Sequence, residues 1–324
     1  MRAFQFKPAA SPREAFASGA ETAFIAGGTN LIDLMKLDVV APTQLIDLGP
    51  LSFRGVAFDS AGLHIGALEK MADVAEDPHV VKEYPVVSQA LLKSASAQIR
   101  NMATIGGNLM QRTRCAYFRD TVSACNKRVP SSGCPALEGE NRRHAIFGVS
   151  DSCCATHPSD LAVALVALDA VLKLEGSQGV REVKLEDFYL LPGSTPDREH
   201  DIHPGEIITE IFVPRKDWAT QSGYLKVRDR ESYEFALTSA AAVLDLDGST
   251  VRDARIAVGG VGTKPWSLPV VAEALKGKTA NREVFAAAAE QATEGARTLS
   301  QNSFKVPLLK RTLVRVLCQV GGVA

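Results

Sequence analysis

No sign of charge dominates this sequence: 36 Lys and Arg stand against 37 Asp and Glu, a formal net charge of -1 over 324 residues. Without a global basic field, neither nucleic acid nor an anionic membrane surface is an expected partner, and any small anion must be bound by local groups. No run of about 18 apolar residues occurs, so no transmembrane helix is expected. The opening residues, MRAFQFKPAASPREAF, show no apolar stretch followed by a small-residue cleavage site, so no secretory signal is expected either. The expected compartment is the cytoplasm, or the periplasm by co-export with a signal-bearing partner. Missing too are a catalytic triad, an HExxH motif and any evident acid/base pair. There is no GxGxxG spacing and no P-loop Gly-Lys-Ser/Thr.

What is present fits a soluble globular chain of more than one domain, with 46% hydrophobic and 23% charged residues. FQFKP alternates like a strand, SPREAFAS reads as a helix with an N-cap serine and proline at its first position, and AFIAG reads as a short apolar strand. LIDLMKL fits a short helix, and TQLIDLG and LHIGAL fit further strands. Met71 to Leu92 has helical spacing, and IRNMATIGGNLMQ reads as loop. HPSDLAVALVALDAVLKL reads as a capped helix running into a strand, EIITEIFVP as the strand closing a first lobe, and RKDWATQSGYLK as a linker. Strands (YLKVRDR, AAVLDLDG, ARIAVGGVG) followed by helices make a smaller α+β unit, with a boundary near Asp217. The division expected is 1–217 and 218–324.

Two glycine pairs are candidate binding loops. Ala26-Gly27-Gly28-Thr29-Asn30 follows an apolar strand, where paired glycines permit positive φ, close ligand approach and a nest of N–H groups for phosphate oxygens. Thr104-Ile105-Gly106-Gly107-Asn108 repeats the theme after Arg100 and Asn101. Each alone also fits a tight turn; together they suit a large anionic dinucleotide held at several points. In His157-Pro158-Ser159-Asp160, the Asp160 carboxylate fits either a helix N-terminus or the hydroxyls of a ribityl or ribose chain. Lys226, Arg228, Asp229, Arg230 and Glu231 form a charge run that ordinarily marks a solvated face.

Five of the six cysteines crowd between Cys115 and Cys154, inside a polar, irregular stretch from about 112 to 154. Irregular chain of this length in a compact domain suggests a non-peptide organiser. Cys115, Cys125, Cys134 and Cys153 are separated by 9, 8 and 18 residues, which is neither a zinc CxxC pattern nor a ferredoxin run. Cluster ligands, zinc ligands and reduced buried thiols all remain compatible. Arg112, Arg114, Lys127 and Arg128 flank the thiols and are expected to lower their pKa values and offset cluster charge. Cys318, on an apolar helical face, is expected in the core. His64, His79, His144, His200 and His203 are scattered, with no role assigned.

FIAGGTNLIDLMK, the IRNMATIGGN loop, HPSD and YLKVRDRESYEFALTSAAA occur in the order and approximate spacing of the flavin subunits of the xanthine dehydrogenase family. That family includes carbon monoxide dehydrogenase flavoproteins and bacterial aldehyde oxidoreductases, and the resemblance covers nearly the whole chain. It implies an α+β fold: a two-subdomain FAD-binding domain of the vanillyl-alcohol-oxidase type, then a small C-terminal domain of the CO dehydrogenase flavoprotein type. By the same resemblance Ala26, Gly27, Gly28, Thr29, Asn30, Leu31, Ile32 and Asp33 would cradle the FAD pyrophosphate. Thr104, Gly106, Gly107 and Asn108 would add contacts, Asp160 would hold flavin hydroxyls, and Lys226 would reach the cofactor from the C-terminal domain. The aromatic that some eukaryotic relatives place over the isoalloxazine falls near Ser94 here.

The cysteine insert resembles that of 4-hydroxybenzoyl-CoA reductase and, more closely, of a subset of bacterial aldehyde oxidoreductases, which implies a [4Fe-4S] cluster. The implied ligands are Cys115, Cys125, Cys134 and Cys153, with Cys154 the alternative fourth. The implied role is electron transfer beside two partners, a molybdopterin-binding large subunit and a [2Fe-2S] small subunit, which would oxidise an aldehyde. A hydroxybenzoyl-CoA reductase or xanthine-type subunit, a stand-alone flavin oxidase and a zinc-stabilised scaffold are the alternatives.

Overall fold

The computed structural model describes residues 1–16 and 21–324, so Ala17 and Ser18, the end of the expected SPREAFAS helix, lie outside the described residues. Among the described residues three sheets organise the fold. Strands β1 (Gln5–Pro8), β2 (Thr22–Ile25) and β3 (Gln44–Asp47) form a parallel sheet in the order β1-β3-β2. Parallel pairing demands crossovers, and the helix Leu31–Lys36 supplies one between β2 and β3. That crossover puts Ala26 to Asn30 at the carboxyl end of β2, where open α/β sheets bind ligands.

The second sheet is antiparallel: β4 (Val56–Phe58), β5 (Gly62–Gly66), β6 (Val171–Gly176), β7 (Gly179–Lys184) and β8 (Ile207–Pro214), in the order β4-β5-β8-β6-β7. Burial alternates along β6 and through the second half of β8, as a sheet with one covered face requires. The cover includes Pro85–Leu92 and Asp160–Ala167, and the latter is buried along its whole length. The expected continuous helix from Met71 to Leu92 is instead three pieces, Met71–Glu76, Pro78–Glu83 and Pro85–Leu92. Pro78 and Pro85 each open a new helix, because proline lacks the N–H and disfavours helical backbone in the residue before it.

The third sheet contains β9 (Ser222–Val227), β10 (Thr238–Asp247), β11 (Thr250–Gly259) and β12 (Trp266–Ser267), antiparallel in the order β12-β11-β10-β9. Its helices are Pro269–Leu275, Arg282–Glu290 and Lys305–Gly321, the last burying Leu309, Leu313, Val316, Leu317 and Cys318. The cores are not separated by chain position. Tyr224, Ala241, Val243 and Ala257 share one core with Val86, Leu91 and the helix Asp160–Ala167. Gln89 Oε1, from the helix before the insert, accepts the N–H of Tyr224 at 2.8 Å.

The cysteine-rich segment has little regular structure, only Ala116–Arg119 and a short turn at Pro135–Leu137. Its far end is fixed by the C-terminal unit. Ile146 and Phe147 bury in that core, and both donate their N–H groups to the Val261 carbonyl, at 2.7 and 3.0 Å. Among the described residues no helix is long and apolar enough to cross a membrane.

Candidate functional site

Two cavities meet at Thr29, Asn30 and Gly107. One, of about 300 Å³, has largely apolar walls from Phe24, Leu34, Val40, Leu48, Leu68 and Ile207, and is also lined by the whole run from Ala26 to Leu31. The other, of about 480 Å³, is lined by Asp33, Ser94, Asn108, Asp160 and Lys226 and rimmed by Arg114, Arg119, Arg143 and Arg230. Both volumes lie within the roughly 300–1,000 Å³ of ordinary ligand clefts. Thr104 and Gly106 line the first cavity and Gly107 lines both, so the two glycine loops, far apart in sequence, come together.

The glycines act differently in the two loops. Gly28 has φ +71, the left-handed conformation the sequence pattern called for. A Cβ on Gly27 would lie 2.1 Å from the Met102 carbonyl oxygen, so one loop leaves room for the backbone of the other. Gly106 and Gly107 do not have positive φ. They sit within the helix Ile105–Leu109, where loop was expected, capped by Thr104 Oγ1, which accepts the Gly107 N–H at 3.2 Å. A Cβ on Gly106 would approach the Ala67 carbonyl to 3.1 Å, so this glycine serves close packing. The side-chain oxygen of Asn30 is buried without a hydrogen-bond partner, an acceptor facing space that a ligand donor would satisfy.

Asp33 places a carboxylate at the polar cavity, where it would repel phosphates. Its charge is answered by Arg119 (2.7 and 3.0 Å) and Arg114 (3.1 Å), and the Arg119 hydrogen bond, with the charges of both arginines, holds its pKa below the usual carboxylate value. Asn108 uses its amide within the protein, donating to Met71 Sδ at 3.4 Å and accepting from Ser159 Oγ at 2.6 Å. Asp160 accepts from Tyr224 OH (2.6 Å), Lys226 Nζ (2.7 Å) and Ser94 Oγ (3.1 Å). The Lys226 side chain is 1% exposed, so this member of the charge run is no solvated residue but half of a buried ion pair joining β9 to the helix Asp160–Ala167. Sequence reasoning missed the pairing of Asp33 with Arg114 and Arg119 and the role of Tyr224, because no local pattern links residues so far apart.

Cys115, Cys125, Cys134, Cys153 and Cys154 all line one narrow pocket, with Phe118, Ala136 and His144. None forms a disulfide, and Cys318 lies apart in the C-terminal core. Among the described residues no three His, Cys, Asp or Glu side chains converge closely enough to hold a single metal ion. Thiols are the donors that an iron-sulfur cluster takes, so the chemistry of this lining fits such a group.

The expectation that flanking cations depress the thiols does not hold. Burial pushes Cys115 up to about 12 and also raises Cys153, against which Lys127 acts as the main opposing charge. Cys134 is lowered, to about 6, first by the hydrogen bond from Cys154 and not by a cation. The reason is that the cations are engaged elsewhere. Arg112 and Lys127 pair with Glu199, Arg114 pairs with Asp33, and Arg128 donates to the carbonyls of Tyr117, Phe118 and Ser123. His144, given no role from sequence, stands with Nε2 3.2 Å from Cys115 Sγ, and burial followed by the charge of Lys305 lowers its pKa to about 4.

Comparison with known proteins bears on these features. A pattern described as the FAD binding domain in molybdopterin dehydrogenase matches residues 4–216, and the CO dehydrogenase flavoprotein C-terminal domain matches 223–320. The chain is 46% identical to the aldehyde oxidoreductase FAD-binding subunit PaoB of Escherichia coli (strain K12), with all of both chains covered. It is 30% identical to the glyceraldehyde dehydrogenase medium chain of Sulfolobus acidocaldarius, over 80% of this chain and 75% of that one. Among solved structures, quinoline 2-oxidoreductase from Pseudomonas putida 86 is similar with a TM-score of 0.76 at 25% identity, covering 99% of this chain and 98% of that one. The FAD-binding domain, the appended C-terminal domain and the full-length relationship place this chain in the molybdenum hydroxylase family, as an oxidoreductase subunit of its FAD-binding medium type.

Proposed function

We propose that this chain carries FAD and a [4Fe-4S] cluster and is the electron-transfer subunit of a molybdenum-dependent aldehyde oxidoreductase. The observation that carries the reading is the 46% identity to an aldehyde oxidoreductase FAD-binding subunit over the full length of both chains, supported by five thiols around one pocket. A large molybdopterin-binding subunit and a small [2Fe-2S] subunit are the partners, so the aldehyde never touches this chain. Its location is the cytoplasm, or the periplasm by export with a partner. The FAD domain runs over 1–217 and the C-terminal domain over 218–324.

FAD, when bound, exchanges one or two electrons and so joins one-electron carriers to an external acceptor. The chain's own residues bind and orient it. Ala26, Gly27, Gly28, Thr29, Asn30, Leu31 and Asp33 line one side, and Thr104, Gly106, Gly107 and Asn108 the other, where the pyrophosphate would lie; Ile32, expected with them, lines neither cavity. Arg114 and Arg119 neutralise Asp33 beside it. Asp160 and Lys226 present a buried, mutually satisfied pair to the cavity, fixing its wall before any cofactor arrives. The cluster would be held by Cys115, Cys125, Cys134 and Cys153, with Cys154 as the alternative fourth ligand.

Purification of the native complex tests this reading. Flavin, molybdenum, acid-labile sulfide and two further subunits are expected with the chain, along with more iron than a [2Fe-2S] subunit alone requires. A native complex containing flavin but no molybdenum would overturn it.

A further inference from the structure

His144 lies in the irregular insert, 6% exposed, yet its position is tightly set. Its carbonyl accepts from Lys305 Nζ at 2.8 Å and Asn302 Nδ2 at 3.3 Å, both from the C-terminal unit. Lys305 also donates to the Gly260 carbonyl at 2.6 Å and is itself fully buried. The Tyr117 ring lies 6.4 Å away at a 48° tilt. These bonds fix the His144 backbone; the buried imidazole, whose Nδ1 has no hydrogen-bond partner, stands with Nε2 3.2 Å from Cys115 Sγ. Backbone N–H groups also reach the thiols of the pocket, from Tyr117 and Phe118 to Cys115 and from Ala155 to Cys153 at 3.5 Å, but His144 is the side chain at hydrogen-bond distance from Cys115.

We infer that His144 is a positioning residue that donates a hydrogen bond to the Cys115 sulfur and thereby raises the reduction potential of the cluster that Cys115 would help hold. The inference rests on the cluster reading above. A sulfur bound to iron carries no proton, so this contact is a hydrogen bond only when Nε2 carries one. An N–H donated to a ligating sulfur withdraws electron density from it and favours the reduced, more negative cluster. The C-terminal helix therefore bears on the insert's redox chemistry through Lys305, Asn302 and the His144 backbone, without itself supplying a ligand.

The test uses the purified holoenzyme carrying His144→Phe, which removes the donor, and His144→Gln, which retains an N–H group. Iron, sulfide and flavin contents are measured, and the cluster's midpoint potential is read by electron paramagnetic resonance during a redox titration. The expected result is full iron in both variants, a lower midpoint in His144→Phe, and a midpoint in His144→Gln closer to the unsubstituted enzyme. An unshifted midpoint in His144→Phe overturns the inference. So does loss of iron from either variant, since the ring would then be holding the cluster rather than tuning it. A wild-type enzyme without the extra iron is a separate failure, which removes the cluster reading itself.

Discussion

The glycine-loop cavities and the cysteine pocket, each proposed above to hold a cofactor, are built from opposite materials. The cavities are built at the ends of regular elements. Gly27 and Gly28 follow β2, Gly106 and Gly107 lie in a capped helix, and the Asp160–Lys226 pair ties a buried helix to β9. The pocket instead gathers thiols from a segment with almost no regular structure, anchored from outside by residues 260–262 and 297–305. A site formed by backbone requires shape, and its weak point is the added atom. A site formed by side-chain donors requires particular atoms, and its weak point is the atom removed.

The largest effects should follow from that contrast. Gly27→Ala puts a carbon 2.1 Å from the Met102 carbonyl oxygen, so the loops must part and most bound flavin should be lost, measured by absorbance after gel filtration. Lys226→Met leaves the Asp160 carboxylate buried without its cation. Removing one partner of a buried pair costs about 3–5 kcal/mol, expected as a lower midpoint in chemical denaturation together with weaker flavin retention. Normal stability in Lys226→Met would show that Ser94 and Tyr224 suffice for the carboxylate. Cys134→Ser, by contrast, adds no atom and should leave flavin content intact while the iron above the [2Fe-2S] complement falls to near zero. Equal loss of flavin and iron would mean that the two sites are one structural unit.

How far the two regions could be read from sequence follows the same division. The first glycine pair after β2, the capped helix of HPSDLAVAL and the strand-helix order of the C-terminal unit are local patterns, and they led to the right elements, whereas the stretch around Gly106 was read as loop and is helical. The crowding of Cys115 to Cys154 was equally legible, but its surroundings were not. His144, Lys305 and the diversion of Arg112 and Lys127 to Glu199 depend on segments brought together only by the fold. The glycine pair at Gly106 illustrates a different limit. Gly-Gly suits a turn and also suits close packing of helix on strand, and only the position of Ala67 distinguishes them. The break of Met71 to Leu92 at Pro78 and Pro85 was in plain view, and there the apolar spacing outweighed a backbone rule that should have prevailed.

Acid should separate the regions more gently. Burial, the main cause in each case, lowers His144 and His200 to about 4 and His157 to about 3, and all three lie in or against the insert. Each stays neutral in the folded chain at pH values where the unfolded chain, near pKa 6.5, already binds a proton. Stability from these groups is therefore full above about pH 6.5 and falls as pH drops toward about 4. Asp33, whose folded pKa is depressed, contributes stability that is lost only as pH falls below the ordinary carboxylate value. Hydrogen exchange followed across this range should show the insert opening at a higher pH than the loop around Asp33. Simultaneous opening would contradict the assignment of acid sensitivity to the buried imidazoles.

The smallest effect concerns the link between the regions. Arg142, between the thiols of Cys134 and Cys153 in sequence, makes a paired hydrogen bond to Asp229 at 2.8 and 2.9 Å, on the loop that borders the polar cavity. Both partners are about half exposed or less, at 47% and 36%, and water screens much of the attraction. A double-mutant cycle of Arg142→Ala and Asp229→Ala should give a coupling of about 0.2–1 kcal/mol, the range for exposed pairs. Iron and flavin contents should be unchanged in both single variants. A coupling well above that range would mean that the bridge clamps the loop onto the insert, and the contrast between a backbone-built site and a donor-built site would then have to yield to a single joined one.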